Sequence, residues 1–285
     1  MRAWLDGGKK VRPKAMDTII FVHGAWVTPL CWRYFVPHFA DRGYHTSTPA
    51  WPFKDRAVGD QLACPDPRLA KVGIPEIVER YQSIIQSQPK PPILIGHSFG
   101  GLIVQLLLDR GFGAAGIAIS SVPPRGVLAL GPSPWSAAKK LWTLFGSRPR
   151  WRTILSPPER DAEEKALRKA QGIEFHLVPE SRRIFWQLLT SAAEVNFRNP
   201  KRAPLLLVAC GKDLCIPAEA QRRNFERYRA YPARTDFELF PDLTHLGIAE
   251  PGHDALAAFC AAWAEDRLAE NRGMAQSRSL TVTAG

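Results

Sequence analysis

Residues 96–100 read Gly-His-Ser-Phe-Gly, a G-x-S-x-G motif whose serine, Ser98, could act as a nucleophile. An apolar run at residues 93–95 precedes the motif, and a second one follows at residues 102–108. This is the strand–turn–helix setting that places a serine on a sharp turn at a helix start. The helix dipole there favours the negative charge that develops during acyl transfer. The pattern predicts acyl-transfer chemistry at Ser98, and the alternative is a Gly-rich turn with an incidental serine.

A serine hydroxyl is a weak nucleophile at neutral pH, so it needs a base, and the base needs an orienting acid. Where this motif is catalytic, the acid and then the histidine follow the serine along the chain. The apolar residues 204–210 predict a strand buried on both faces, and Asp213 lies in the turn directly after it. Ligands of α/β sheets bind at that end of the strands. Asp213 is the candidate acid, and the alternative is a turn or helix-capping aspartate.

Of the seven histidines, only His245 and His253 follow Asp213. His245 lies in the loop after a strand-like run at residues 236–240, where a base is expected. His253 follows a Pro-Gly pair and opens the last helix, where capping or packing explains it more simply. The candidate base is therefore His245.

Acyl transfer also needs two backbone N–H groups that face the developing oxyanion. One is expected from Phe99, the residue after the nucleophile. The other is expected from the turn at residues 23–26, which follows a predicted strand at residues 18–22. We predict Ala25 as this second donor, with Trp26 as the alternative.

Three further side chains belong to this region. His23 is expected to brace the turn through hydrogen bonds rather than to take part in the chemistry. Trp26 and Trp32 either flank the mouth of the site or simply pack the first helix.

These motifs together resemble the α/β-hydrolase superfamily. The resemblance rests on four segments in the order of that superfamily: His23-Gly24-Ala25-Trp26, Gly96-His97-Ser98-Phe99-Gly100-Gly101, Gly211-Lys212-Asp213 and Pro241-Asp242-Leu243-Thr244-His245. The first turn is similar to that of small esterases, methylesterases and hydroxynitrile lyases. Dehalogenases and epoxide hydrolases of the superfamily carry aspartate at the nucleophile position, so Ser98 disfavours those chemistries. Because some lyases and cofactor-free oxygenases keep the same triad, the triad alone does not establish hydrolysis.

The alternation of predicted strands and helices indicates an α/β protein with a mainly parallel sheet covered on both faces. Too little chain precedes Thr18 for the two leading strands of the full superfamily sheet, so we expect the α/β-hydrolase fold with about six strands. The predicted core comprises residues 17–124 and 203–271, and a helical cap insertion occupies residues 125–202. A flexible leader at residues 1–16 and a disordered tail at residues 272–285 complete the expected organisation.

The expected cap contains short helices at residues 135–145, 158–171 and 180–195, separated by prolines. A cap can shape a pocket and exclude water. The apolar cap residues that could line such a pocket, although they are more often core, are Trp135, Leu141, Trp142, Phe145, Trp186 and Leu189.

The composition indicates which binding partners and which cellular compartment to expect. The formal net charge of the 285-residue chain is +11, and residues 121–203 hold 15 Lys and Arg against 7 Asp and Glu. Because the sequence contains no nucleic-acid-binding motif, we interpret this excess of positive charge as a solvated, Arg-rich surface. The alternative is an electrostatic field that attracts anionic substrates or lipids. Five cysteines without metal-binding spacing favour a reduced, cytoplasmic protein. We expect no transmembrane segment and no classical secretion signal.

The sequence therefore predicts a serine hydrolase that cleaves a small-molecule carboxylic ester or lactone. No metal, organic cofactor or nucleic-acid partner is expected. One alternative is a non-hydrolytic or C–C-cleaving enzyme of the same fold, of the lyase or cofactor-free oxygenase type. The other is a ligand-binding receptor on a hydrolase scaffold, which the complete triad disfavours. Acyl-chain size and oligomeric state are left open.

Overall fold

A computed structural model describes residues 17–127, 154–155 and 176–282, with side chains of the last helix as far as Glu270. The strands of these residues are, in chain order, β1 (Thr18–Val22), β2 (His45–Ser47), β3 (Ile93–His97), β4 (Ala115–Ile119), β5 (Ile154–Leu155), β6 (Glu180–Ser181), β7 (Leu205–Cys210) and β8 (Thr235–Phe240). Six of them form one sheet in the order β2-β1-β3-β4-β7-β8, and all neighbours in it are parallel. The short strands β5 and β6 pair antiparallel outside this sheet.

Seven α-helices lie within the described residues: α1 (Val36–Ala40), α2 (Val58–Ala63), α3 (Ile74–Gln86), α4 (Phe99–Asp109), α5 (Arg182–Gln187), α6 (Ala218–Arg229) and α7 (His253–Val282). Short 3₁₀ turns at Pro29–Trp32, Pro67–Lys71 and Ser191–Ala193 connect some of the elements.

The sheet separates two apolar cores because successive side chains of a strand point to opposite faces. Ile20 and Leu94 pack on one face, against helices α3 and α4. Ile19 and Ile93 pack on the other face, against helices α1 and α7. Both faces of the central strands are thus buried, which explains their uninterrupted apolar sequences. The predicted α/β-hydrolase fold, with a parallel six-stranded sheet and helices on both faces, is confirmed.

Two elements near the start of the chain are shorter than the sequence predicts. The helix expected over residues 31–42 is a 3₁₀ turn at Pro29–Trp32 followed by the five-residue α1. The strand expected over residues 44–51 pairs only at His45–Ser47. Prolines at positions 29, 37 and 49 lack the N–H group that a longer helix or ladder would need.

The insertion between β4 and β7 is described only in part. The helix expected over residues 180–195 is divided into β6, α5 and the 3₁₀ turn Ser191–Ala193. The Ser181 side chain caps α5 by accepting a hydrogen bond from the N–H group of Arg183. The helices expected at residues 135–145 and 158–171 lie outside the described residues, as does the expected leader at residues 1–16.

Helix α7 continues to Val282, into the segment from residue 272 for which the sequence predicts a disordered tail. Beyond Gly273 no glycine or proline interrupts it before its end, and extending an existing helix is easier than nucleating a new one. No helix among the described residues is both long and apolar enough to span a bilayer.

Candidate active site

Ser98 occupies a strained turn between β3 and α4. Its backbone angles, φ 56° and ψ −120°, lie in a region that residues with a side chain rarely adopt. A Cβ atom at Gly96 would collide with the backbone of Gly100, and one at Gly100 would collide with the Val22 carbonyl. Both glycines are therefore needed for the close approach of strand, turn and helix at this serine.

Ser98, His245 and Asp213 are joined by two hydrogen bonds. His245 Nε2 lies 3.1 Å from Ser98 Oγ, and His245 Nδ1 lies 2.8 Å from Asp213 Oδ2. The carboxylate can only accept, so Nδ1 carries the ring proton and Nε2 is left to take the serine proton. The structure brings together the three side chains that the sequence singles out, from the ends of strands β3, β7 and β8.

Asp213 is held in its ionised form by its partners. Besides His245, its carboxylate accepts hydrogen bonds from the N–H groups of Cys215 and Ile216, at 2.7 and 2.8 Å. Burial acts to raise the pKa of Asp213, but the hydrogen bonds and the interaction with His245 together lower it below its ordinary value. The buried carboxylate thereby stays an acceptor that orients the His245 ring.

The loop that carries His245 is fixed on two sides. Thr244 Oγ1 donates to Glu250 Oε2 at 2.7 Å, which closes the loop on itself. His97 Nε2 donates to the His245 carbonyl oxygen at 2.6 Å. Burial, with a smaller contribution from His245, lowers the pKa of His97 to about 3, so His97 is neutral at pH 7. The neutral His97 ring carries its proton on Nε2 and donates it to the His245 carbonyl oxygen.

The turn after β1 lies directly against the serine. A Cβ atom at Gly24 would come within 3.1 Å of both Ser98 Cβ and the His97 carbonyl oxygen. His23 Nδ1 donates to the Gly24 carbonyl at 2.9 Å, and its Nε2 accepts from the Trp51 N–H group at 3.0 Å. Burial, together with the charge of Lys54, holds the pKa of His23 well below its usual range. His23 thus lies in the turn as a neutral, doubly hydrogen-bonded ring.

The geometry distinguishes the two candidate oxyanion donors of this turn. The Trp26 N–H group donates to Glu180 Oε2 at 3.1 Å, so it already has an acceptor. Ala25 precedes it and is only partly buried. Phe99 begins α4, and N–H groups in the first turn of a helix have no acceptor within the helix. Ala25 and Phe99 remain the candidate donors.

An aromatic wall stands beside the serine turn. We give this name to Trp26, Trp51, Phe99 and Phe185, whose rings follow one another at centroid distances of 5.4 to 6.0 Å. Phe185, from helix α5, is the member contributed by the insertion.

The wall differs from the set that the sequence suggests. Trp186 and Leu189 are 55% and 63% exposed. The helical turn that buries Phe185 directs the side chain of the next residue, Trp186, outwards, and Leu189 lies beyond the end of α5. The other cap candidates, Trp135, Leu141, Trp142 and Phe145, lie outside the described residues. Trp32 is fully buried against Phe21 and Phe35, which leaves packing as its role.

Sequence reasoning missed Lys54 and Glu180, which form a buried ion pair beneath the turn at residues 23–26. Neither lies in a recognisable motif, and a charged residue in a loop is ordinarily read as solvated. The only local signals are two prolines before Lys54, at positions 49 and 52, and an apolar run before Glu180.

Two groups of side chains among the described residues are close enough to share an ion: Asp213, Cys215 and His245, and His38, His253 and Asp254. In the first group both ring nitrogens of His245 already make the hydrogen bonds given above. In the second, His253 Nδ1 donates to the Glu250 carbonyl and its ring contacts those of Tyr34 and His38, so of the capping and packing roles expected for it the structure shows packing. The absence of a metal or cofactor requirement stays a prediction.

Comparison with known proteins agrees with this architecture. The α/β hydrolase family matches the chain over residues 19–260. No curated protein is significantly similar to it in sequence. Similar solved structures include one from work on LipS and LipT, two metagenome-derived lipolytic enzymes. It has 14% sequence identity and a TM-score of 0.62, and the match covers 89% of this chain and 94% of that chain.

Two further structures resemble this chain to a comparable degree. A methylesterase from Arabidopsis has 17% identity and a TM-score of 0.59, with 87% of this chain and 99% of that chain covered. A monoacylglycerol lipase from Paleococcus ferrophilus has 19% identity and a TM-score of 0.61, with 89% and 96% covered. At such identities the likeness concerns the fold, whereas the family match spans most of the sequence. The chain belongs to the α/β hydrolase family.

Proposed function

We propose that this protein is a serine hydrolase that cleaves a carboxylic ester or lactone through an acyl-enzyme intermediate. The observation that carries the proposal is the continuous hydrogen-bonded chain from Ser98 through His245 to Asp213. Nucleophile, base and orienting acid are the parts that this chemistry needs, within hydrogen-bond reach of one another. Membership of the α/β hydrolase family and structural likeness to lipolytic enzymes and a methylesterase support it.

In the acylation step, Ser98 Oγ attacks the acyl carbon while His245 Nε2 takes the hydroxyl proton. The carbonyl π electrons move to oxygen, and the N–H groups of Phe99 and Ala25 stabilise the resulting oxyanion. Asp213 holds the ring tautomer and stabilises the imidazolium. As the carbonyl re-forms, the C–O bond to the leaving group breaks and His245 donates its proton to the departing alkoxide.

In the deacylation step, water replaces the alcohol. His245 removes a proton from the water as its oxygen attacks the acyl carbon, and the same two N–H groups receive the second oxyanion. Collapse of this intermediate breaks the bond to Ser98 Oγ, which regains its proton from His245. The products are a carboxylic acid and an alcohol, which are joined in one molecule when the substrate is a lactone.

The aromatic wall supports a substrate with an apolar group next to the reacting carbonyl. Phe99 is both a wall residue and an oxyanion donor in the proposal, which places the acyl group next to this residue. Phe185 faces the same ring from helix α5, at 6.0 Å between centroids. We assign the insertion at residues 125–202 as the cap that completes this pocket, with residues 17–124 and 203–271 as the core.

Active-site labelling tests the proposal. A fluorophosphonate probe should label the native protein, and Ser98→Ala should remove the label without a change in melting temperature or circular dichroism. A panel of p-nitrophenyl esters from acetate to octanoate should be turned over by the native protein alone. His245→Ala should abolish turnover while leaving the fold intact.

Three results would contradict the proposal. Labelling that persists in Ser98→Ala would point to another nucleophile. Labelling of Ser98 without turnover of any ester or lactone would favour the non-hydrolytic alternative, and absence of both would favour a ligand-binding protein.

A further inference from the structure

A buried ion pair connects the insertion to the core next to the proposed active site. Lys54 Nζ lies 2.6 Å from Glu180 Oε2, and both side chains are completely inaccessible to solvent. Lys54 belongs to the loop after β2, and Glu180 begins β6, so the partners are 126 positions apart in the chain. Removing two charges from water is costly, and only a well-made set of additional hydrogen bonds offsets that cost.

Glu180 makes those hydrogen bonds with both carboxylate oxygens. Its Oε2 also accepts from the N–H group of Trp26 at 3.1 Å, and its Oε1 accepts from the N–H group of Ser181 at 2.9 Å. The Trp26 carbonyl in turn accepts from the N–H group of Val178 at 2.7 Å. The insertion therefore holds the peptide groups on both sides of Trp26.

The conformation that these bonds hold is a strained one. Trp26 has φ 67°, in the left-handed region that a residue with a large side chain seldom occupies. Such a conformation persists only when its surroundings determine it. Ala25 directly precedes Trp26, and Gly24 lies against Ser98, so the orientation of the Trp26 peptide group decides where the preceding N–H group points.

Aromatic contacts lie on both sides of the turn at residues 23–26. Lys54 Nζ lies 5.5 Å from the centre of the Trp51 ring, which stacks on His23 at 4.7 Å. The Trp26 ring stacks on Phe185 of helix α5 at 5.4 Å. The ring of Trp26 therefore contacts the insertion, as its peptide groups do.

We propose that Lys54 and Glu180 are positioning residues, which fix the Trp26 peptide group so that the Ala25 N–H group faces the oxyanion. The inference rests on the proposed hydrolase function. The Glu180 carboxylate accepts a hydrogen bond from the Trp26 N–H group, and its ion pair with Lys54 holds that carboxylate in place. The insertion thus contributes to the chemistry by holding the turn at residues 23–26, in addition to supplying Phe185 to the aromatic wall.

Removing one charge and removing both charges have different consequences. Glu180→Gln leaves the Lys54 ammonium buried without a carboxylate, so the loop after β2 must shift. Lys54→Met leaves the Glu180 carboxylate unpaired. The double variant Lys54→Met/Glu180→Gln removes both charges and keeps a carbonyl oxygen that accepts from the Trp26 N–H group. The double variant should therefore recover most of what either single change loses.

Kinetics of p-nitrophenyl butyrate hydrolysis and affinity for a trifluoromethyl ketone, which forms an oxyanion adduct with the serine, provide the functional readouts. Either single variant should lower kcat on the order of 10²-fold, the typical effect of misplacing a catalytic group by about 1 Å. KM should change much less than kcat, because the contacts that bind the ground state persist. The ketone should bind more weakly in proportion to kcat, and the double variant should return to within about tenfold of the native kcat.

Arg202→Met is the matched control. Arg202 is also a buried charge, but it binds the carbonyls of Ala203, Ala233 and Arg234 near the starts of β7 and β8, at the sheet edge opposite Ser98. It should lower the melting temperature without affecting kcat. Amide hydrogen exchange at Trp26 gives a readout that does not depend on activity, and protection there should fall in Glu180→Ala but not in Arg202→Met.

The inference is overturned if the single variants keep native kcat, if Arg202→Met lowers kcat equally, or if the double variant shows no recovery. It is also overturned if the Trp26 amide stays protected in Glu180→Ala. A native protein that hydrolyses no ester while the Trp26 amide responds as expected would refute the proposed function and leave the anchoring of the turn established. If Glu180→Ala does not fold, the exchange comparison is made with Glu180→Met, which fills more of the space and likewise offers no acceptor to the Trp26 N–H group.

Discussion

The Nε2–H group of His97 donates a 2.6 Å hydrogen bond to the carbonyl oxygen of His245. The residue before the proposed nucleophile thus holds the loop that carries the proposed base, and the two rings lie 4.8 Å apart. Because His97 is buried and its pKa is lowered to about 3, this bond is made by a neutral ring at neutral pH.

The lowered pKa of His97 makes folding stability depend on pH. Below pH 6.5 the unfolded chain binds a proton at this histidine, whereas the folded chain does not until about pH 3. The free energy of unfolding contributed by His97 should therefore decrease as the pH falls through this window, by up to about 1.4 kcal/mol per pH unit. Urea unfolding of native protein and His97→Gln between pH 7 and pH 4.5 measures the difference.

His97→Gln is chosen because the glutamine side chain can still donate a hydrogen bond from an N–H group and does not titrate. The stability gap between the two proteins should narrow as the pH falls. A gap that stays constant from pH 7 to pH 4.5 would mean that His97 is protonated equally in the folded and unfolded chains.

A methyl group at Gly24 should impair catalysis more than folding. Its Cβ atom would lie 3.1 Å from Ser98 Cβ and from the His97 carbonyl, tighter than ordinary van der Waals contact, so the turn must move by a fraction of an ångström. We expect Gly24→Ala to lower kcat by about 10-fold, since a full shift of about 1 Å costs on the order of 10²-fold at a catalytic centre and this shift is smaller. Steady-state kinetics and thermal unfolding on the same samples separate the two effects.

Gly59→Ala serves as the control for Gly24→Ala. No atom lies within 4 Å of a Cβ atom at Gly59, which is part of helix α2. This change should leave kcat unaffected and stabilise the helix by about 0.5–1 kcal/mol. Equal losses of kcat in the two variants would show that the contact with Ser98 is not the cause.

The sequence predicts the sheet and the Ser98–His245–Asp213 alignment because both depend on local patterns. Apolar runs fix the strands, and the strand ends carry their loops to one edge of a parallel sheet, so side chains distant in sequence converge there. The elbow at Ser98 needs its two glycines for steric reasons that are visible in the motif itself.

The remaining features depend on contacts that no local pattern encodes. The pairing of Lys54 with Glu180 joins positions 126 residues apart, and either residue alone resembles a solvated surface charge. Periodicity likewise cannot decide whether Phe185 or Trp186 faces inwards, because the division of the expected helix into β6 and α5 rotates the register of the side chains. The short α1 follows from prolines whose effect depends on the loops around them.

Asp213→Asn should preserve the fold and abolish most activity. The amide can donate a hydrogen bond to His245 Nδ1 and thereby favour the tautomer with the proton on Nε2, which cannot accept the serine proton. A decrease of kcat on the order of 10⁴-fold is expected.

The same substitution has a defined effect on the pH dependence of stability. Because the folded-state pKa of Asp213 is lowered, its stabilising contribution is present at neutral pH and is lost as the pH falls through that lowered value. The stability difference between native protein and Asp213→Asn should therefore shrink below pH 3.8, as measured by urea unfolding at pH 7 and at pH 2.5. For the activity prediction, a kcat of Asp213→Asn within tenfold of the native value would exclude Asp213 as the orienting acid.

Phe185 and Trp186 are adjacent residues with opposite environments, so they form a matched pair for testing the wall. Phe185 is 9% exposed and stacks near Trp26 and Phe99, whereas Trp186 is 55% exposed. Phe185→Ala should cost about 3 kcal/mol of stability through the cavity it leaves, and Trp186→Ala should cost about 0.5 kcal/mol or less.

Activity towards esters of different length should separate the same two variants. Removal of the Phe185 ring opens space beside the Phe99 ring, where the acyl group lies in the proposed complex. The ratio of kcat/KM for p-nitrophenyl octanoate to that for the acetate should rise about tenfold in Phe185→Ala, the effect typical of one or two methylenes in an apolar pocket. Trp186→Ala should leave this ratio unchanged. If both variants shift the ratio equally, or Phe185→Ala leaves it as in the native protein, the acyl group does not lie against this wall.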